Sequence, residues 1–261
     1  MKRLFKKAIR DSLKFFGYEV HTKGRIRLSL GEFIEHIEKL GFRPKTVIDV
    51  GVADGTFELY GKFPEATLLL IEPLKEFEAA LTTISRKFKT ELVFAAADER
   101  SGSVLFNVHP VLTGSSMLKE IEGNHVDGTP RKIEAIRIDE VCKQKHLEGP
   151  YLIKVDVQGG ELRVLKGAEN ILSNTELIIL EVQLFQFFIG GPQFYDVVNY
   201  MKERKYCVYD IFGCYYRPLD GALASVDIAF VKEDGPFRKS HHWASTQQRD
   251  LITKSLLRVN Q

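Results

Sequence analysis

At 261 residues and 44% hydrophobic, the chain has room for one large domain or two small ones with a full core. Its 37 Lys and Arg against 35 Asp and Glu leave a net charge of +2, which argues against a dedicated nucleic-acid binder. No apolar run reaches the roughly 18 residues that cross a bilayer, and three cysteines without a C-x-x-C pair fit a reduced, cytoplasmic setting.

Residues 1–20 are basic, with Lys2, Arg3, Lys6, Lys7, Arg10 and Lys14. Leu4, Phe5, Ile9, Leu13 and Phe16 recur among them at helical spacing. The charges interrupt any apolar stretch that a signal peptide would need. The plainer reading is a helix packed on the domain. The sharper one is peripheral contact with an anionic membrane surface. A second helix over residues 30–40 carries Phe33, Ile34 and Ile37 on one face, and Gly41 and Pro44 end it. Residues 1–44 thus read as an N-terminal helical extension.

The apolar run over residues 47–50 then stops at Gly51 and Gly55, and Phe57, Tyr60 and Phe63 follow at helical spacing. That pattern is a buried strand, a tight turn and a helix start. In open α/β sheets this turn holds a nucleotide-like cofactor, because glycine lets the backbone approach it closely. The next apolar run, 66–71, ends in Glu72-Pro73. An acid about 20 residues beyond the first strand is placed to hold two ribose hydroxyls. A dinucleotide fingerprint needs three glycines, but Ala53 and Thr56 stand where two of them belong. A P-loop needs a lysine after Gly55, and Thr56-Phe57 supplies none. Asp49 and Asp54 make the turn acidic, which repels phosphate and suits a cation. S-adenosylmethionine has a sulfonium, an ammonium and a ribose, and no phosphate, so it fits best. A tight turn with no ligand is the bland alternative.

A helix over 77–88 leads to a third strand, 91–97, which ends in Asp98. Extra strands at 103–108 and 133–138 interrupt the alternation, with a polar loop between them of the kind that forms lids. The fourth strand is 151–156, followed by Gly159-Gly160 and a helix over 161–172. The fifth, 177–180, ends in Glu181-Val182, and a helix over 194–202 precedes strands at 206–212 and 226–231. Residues 45–233 therefore form a doubly wound α/β domain with a mostly parallel sheet, and 234–261 a polar tail. Asp49, Glu72, Asp98, Asp156 and Glu181 all fall at strand ends, which form one ligand-binding rim. For Asp98 a helix N-cap or surface acid is the better reading.

Three stretches carry a family likeness: residues 47–55 with 71–73; Ile153-Lys-Val-Asp-Val-Gln-Gly-Gly-Glu161 with Leu165-Lys-Gly167; and Gly114-Ser-Ser116 with residues 138–141. Over roughly 45–231 the chain resembles the FkbM-type S-adenosylmethionine-dependent methyltransferases. The resemblance implies the Rossmann-like class I sheet of seven strands, the last antiparallel. It also implies methyl transfer to a hydroxyl of a sugar, glycan or small-molecule natural product. The cofactor-binding positions so indicated are Asp49, Gly51, Ala53, Asp54, Gly55, Glu72, Pro73, Ala97, Asp98 and Asp156. The chain departs from the family at Gln158, where glutamate is frequent; glutamine removes one potential base or metal ligand.

An alcohol attacks poorly until its proton leaves, so a base at the rim is expected. Asp156 and Glu181 are candidates by position, His109 and His125 by their usual pKa. Glu161 reads as a helix-starting acid. His241-His242 does not read as a metal site, since it has no third ligand nearby in sequence, and a carboxylate-bound metal at Asp156 stays an open alternative. Two other functions compete: a non-catalytic binding module that keeps the fold, and an N-methyltransferase. The Asn-Pro-Pro-Tyr type of motif expected for the latter is absent after the fourth strand, where Asp156-Val157-Gln158-Gly159 stands.

Overall fold

β1 (Thr46–Val50) is buried at every position, as a central parallel strand covered on both faces must be. The computed structural model in which it lies describes residues 26–259 together with Ser12, Leu13 and Phe15. The expected basic helix at 1–20 thus falls almost wholly outside the described residues. β1 pairs in parallel with β2 (Thr67–Ile71), and β2 pairs with β3 (Thr90–Val93).

Three strands stand outside that sheet. β4 (Ala96–Ala97), β5 (Gly102–Val108) and β6 (Thr129–Ile136) form a separate three-stranded sheet in the order β4-β6-β5. On the other side of β1 come β7 (Tyr151–Val155) and β8 (Thr175–Gln183). β9 (Tyr206–Tyr216) and β10 (Leu223–Lys232) close the edge. The main sheet has seven strands in the order β3-β2-β1-β7-β8-β10-β9. β10 is antiparallel to both its neighbours, so the expected sheet with an antiparallel last strand is present. The chain winds outward from β1 in one direction and from β7 in the other. Ligands bind at such a switch point, outside the strands' C-terminal ends.

Helices cover both faces. α1 (Leu30–Lys39) is capped by the Ser29 hydroxyl, which accepts from the Glu32 N–H. It buries Phe33, Ile34 and Ile37 completely, and Phe33 stacks on Phe212 with ring centroids 4.9 Å apart. This stretch of the expected extension is therefore packed into the core of the domain. α2 (Phe57–Tyr60) and α3 (Glu78–Ser85) share that face. α4 (Asn124–Asp127) sits in the inserted segment. α5 (Ile138–Gln144), α6 (Glu161–Lys166) and α7 (Phe194–Glu203) cover the opposite face. α8 (Thr246–Val259) lies in the tail, with Leu251, Leu256 and Leu257 exposed, so the tail is helical and not purely polar. Among the described residues, no helix is long and apolar enough to cross a membrane.

Two elements differ from their sequence patterns. The third strand does not run through 91–97. The Glu72 N–H donates to the Val93 carbonyl, but the next N–H on that edge, that of Leu74, turns back to Glu72 Oε1 at 2.9 Å and does not continue the ladder. The chain then leaves β2, and Ala96 and Ala97 pair with Ala135 and Ile136 instead. The helix expected over 161–172 stops at Lys166. Gly167 packs on the end of β4, where an added Cβ would lie 2.1 Å from the Asp98 carbonyl oxygen.

Candidate active site

The turn after β1 is built against the end of β7. Gly51 has φ +77°, and a Cβ there would lie 1.8 Å from the Asp156 carbonyl oxygen. Only glycine satisfies both the backbone angle and the contact. Ala53 also has positive φ, and its N–H donates to Glu72 Oε2 at 2.9 Å. The Leu74 N–H donates to Glu72 Oε1, also at 2.9 Å. Glu72 is 4% exposed; burial pushes its carboxyl pKa up and these two backbone donors pull it down. Each carboxylate oxygen keeps a second lone pair for a ligand hydroxyl.

Beside this turn lies a cleft of about 520 Å³, its open mouth included. Gly51, Ala53, Glu72, Pro73, Ala97 and Asp156 line it, with Phe77, Phe106 and Met117 as apolar walls. An acid with spare acceptors, a glycine turn and flat apolar walls fit a nucleoside carrying an amino-acid arm. The residues present therefore suit the expected cofactor.

A second, wider compartment of about 1350 Å³ opens from the first, and Gly51, Ala53, Thr113, Asp156 and Gln158 border both. Lys154, Glu181, Asp227, His109, Tyr215 and Ser225 line its remainder. Gln158 ties two acids together: its Nε2 donates to Asp156 Oδ1 at 3.0 Å and to Glu181 Oε2 at 2.9 Å. Gln158 itself sits at φ +57°, and its carbonyl accepts the Ser116 hydroxyl at 2.7 Å. The inserted loop is thereby docked on the turn after β7.

Charge is concentrated here. Lys154 Nζ lies 3.5 Å from Asp156 Oδ2 and 3.7 Å from Asp49 Oδ1. Burial pulls the Lys154 pKa down, but Asp49, Asp156 and Asp227 outweigh it and hold the ammonium above its usual range. Burial, reinforced by Asp156 and Glu161, pushes Glu181 up to about 8. Burial also lifts Asp227 to about 6, with Lys154 opposing and Asp156 adding to the rise. Glu161, pushed up to about 7 by burial, accepts the Gly159 N–H at 3.0 Å and lies off both compartments.

The expected cofactor positions divide. Gly51, Ala53, Glu72, Pro73, Ala97 and Asp156 are on the cleft wall; Asp49, Asp54, Gly55 and Asp98 are not. Asp49 is fully buried, takes the Tyr60 hydroxyl at 2.5 Å and faces Lys154, its direct partner across the β1–β7 ladder. It acts behind the wall and not on it. Asp54 is exposed, and Gly55 packs on Ile84. Asp98 is gripped at both oxygens by the Arg163 guanidinium, at 2.8 and 2.7 Å. Of the expected bases, Asp156 and Glu181 come together. His109 lines the outer compartment, with Nδ1 accepting the Val111 N–H at 2.9 Å and its ring against Gly114. His125 falls in α4, and its side chain lies outside the described ones. Among the described residues, no three of His, Cys, Asp or Glu are grouped as a metal site needs.

Sequence reasoning missed Lys154, Ser225 and Asp227. A rule that looks for acids at C-terminal strand ends passes over β10, because an antiparallel strand brings its N-terminal end to the rim. Asp227 stands directly opposite Glu181 in the β8–β10 ladder.

A family model described as the methyltransferase FkbM domain matches residues 49–208. The chain is 30% identical over 105 residues to the hexuronic acid methyltransferase AglP of Haloferax volcanii. That match covers 40% of this chain and 39% of the relative, so it spans well under half of that protein's length. Among solved structures, similarity is found to the precorrin-6y C5,15-methyltransferase of Geobacter metallireducens, at TM-score 0.41 and 11% identity over 81% of this chain and 93% of that one. It is also found to the magnesium protoporphyrin IX methyltransferase of Synechocystis, at TM-score 0.43 and 9% identity over 87% of this chain and 96% of that one.

Proposed function

The chain belongs to the FkbM methyltransferase family, and from that premise we propose that it methylates a hydroxyl group on a sugar-type acceptor. Its cofactor is S-adenosylmethionine. The observation that carries the reading is the pair of joined compartments with Asp156 on their common wall. Similarity to a methyltransferase whose name specifies a hexuronic acid supports the sugar class.

Glu72 holds the ribose hydroxyls in this reading, and the turn from Gly51 to Ala53 allows close backbone approach. Pro73 and Ala97 complete the wall. Bound there, the cofactor would supply a methyl group on a sulfonium for transfer to the acceptor oxygen, the sulfonium becoming a thioether as the hydroxyl proton leaves. Asp156 takes that proton, being the carboxylate that borders both compartments. Glu181 is joined to it through Gln158, whose Nε2 donates to both acids. The wide outer compartment holds the acceptor with the hydroxyl facing the shared wall, and such positioning supplies much of the barrier reduction.

Incubation with methyl-labelled cofactor and a set of glycosides and glycans tests the assignment. The expected product is a sugar methyl ether. Label recovered on nitrogen, or on no sugar at all, overturns it.

A further inference from the structure

The outer compartment carries an excess of negative charge. Asp156, Glu181 and Asp227 all present carboxyl groups to it, from the ends of β7, β8 and β10. Among the described residues on that wall, Lys154 is the only lysine or arginine. Its charge is already matched, 3.5 Å from Asp156 and 3.7 Å from the buried Asp49. Asp227 is fixed in place. It faces Glu181 across the ladder and packs over Gly213, where φ is +60° and an added Cβ would lie 2.4 Å from Asp227 Oδ2. Glu181 is held by Gln158 at 2.9 Å and approached by the Ser225 hydroxyl at 3.4 Å.

These groups are hydrogen-bond acceptors that seek donors. A sugar carrying several hydroxyls supplies donors without charge. A uronate would add a like charge beside Asp156 and Asp227, and like-charge juxtaposition in an enclosed site is costly. Burial and mutual repulsion already push the Glu181 and Asp227 carboxyls above their ordinary range, the sign of a site crowded with negative charge.

We propose that the sugar unit entering this compartment is uncharged and polyhydroxylated, and that Asp227 excludes uronates. The proposal rests on the sugar-hydroxyl reading above. It sets this chain apart from the relative whose name specifies a hexuronic acid. Asp227 here is a specificity determinant, and the methyl-transfer chemistry does not pass through it.

The test pairs hexose and hexuronate glycosides of the same configuration, assayed with the full chain and methyl-labelled cofactor. The hexose member should win by about tenfold or more in kcat/KM, the scale of one unfavourable charge contact in a partly screened site. Asp227→Asn should narrow that ratio by raising the uronate relative to the hexose, with cofactor affinity unchanged. Asp227→Ser serves as the second variant should Asp227→Asn not fold. Where turnover is too slow to rank, saturation-transfer NMR on the protein loaded with S-adenosylhomocysteine ranks binding of the same pairs. A uronate preferred or equal in the parent overturns the proposal and leaves the sugar reading standing. An unchanged ratio in both variants removes Asp227 as its cause and overturns it too. Neither transfer nor binding across the whole panel rejects the sugar reading itself, and the proposal falls with it.

Discussion

Gly51 and the Asp156 carbonyl approach so closely that a single added carbon would lie 1.8 Å from the oxygen. The contact joins the turn after β1 to the end of β7, the two places where cofactor and acceptor must meet. Gly51→Ala must either adopt a left-handed backbone, costing about 1–3 kcal/mol, or push β7 away from β1. We expect a lowered denaturation midpoint together with weakened binding of S-adenosylmethionine in calorimetry. A variant that melts and binds as the parent does would show that the turn tolerates a side chain and that this contact is not what shapes the cleft.

Glu72 has two tasks that a simple substitution would confuse. Its oxygens accept the Ala53 and Leu74 N–H groups, so Glu72→Ala leaves both donors without partners. Each such loss costs about 1–3 kcal/mol of stability in a buried site. Binding should weaken as well, by about 1.5–3 kcal/mol for one charge-assisted hydrogen bond. A cofactor analogue lacking one ribose hydroxyl separates the tasks. It should bind the parent less tightly than the natural cofactor does, yet bind Glu72→Ala no worse than the natural cofactor does. An equal penalty in both proteins would mean that Glu72 shapes the turn without touching the ribose.

The raised carboxyl of Glu181 makes stability depend on pH, and the sign follows from where the proton is held. The folded protein keeps that proton up to about pH 8, whereas an unfolded chain releases it near the ordinary value of 4.5. Between those values the folded state binds more protons, so this group's contribution falls as pH rises through the window. Asp227, raised to about 6, acts in the same direction over a narrower range. Thermal melts of the parent and Glu181→Gln from pH 5 to pH 9 check this, spanning about the interval between the two states. The gap should open in the variant's favour as pH increases. Parallel curves would mean that Glu181 titrates in the folded protein as it does in the unfolded one.

The glycine turn and Glu72 were legible in the sequence because both depend on short-range chemistry. A turn that needs positive φ calls for glycine, and an acid just past a buried strand stands out against the apolar run. What failed depended on direction or on distance along the chain. Asp49 ends β1 just as Glu72 follows β2, but the alternation of the strand turns it toward Tyr60 and Lys154. Asp98 reads as an N-cap or surface acid, yet it is buried, because Arg163, from a helix well downstream, takes both of its oxygens. Asp227 was hidden because β10 runs against its neighbours. The break between β3 and β4 traces to Leu74, just past β2, whose N–H turns back to Glu72 where the ladder would continue.

Asp156 is where cofactor and acceptor compartments share a wall, and its two oxygens are held differently. Oδ1 takes a firm hydrogen bond from Gln158 at 3.0 Å, while Oδ2 has only Lys154 at 3.5 Å. The second oxygen is thus the one free to take the acceptor's proton. Asp156→Asn keeps the size and an acceptor for Gln158 but removes the charge. Turnover should fall by about 10²–10⁴-fold, the usual worth of a positioned base. Cofactor affinity should stay nearly constant, because Glu72 and the glycine turn are untouched. The variant has a second, independent signature. Asp156 is among the groups that push Glu181 and Asp227 upward, so both should titrate lower without it. Carboxyl titrations followed by NMR in the variant should therefore shift to lower pH, whatever happens to turnover. Retained turnover with shifted titrations would move the base role to Glu181. Collapsed cofactor binding would place Asp156 in the cofactor's own shell and remove it from the proton transfer.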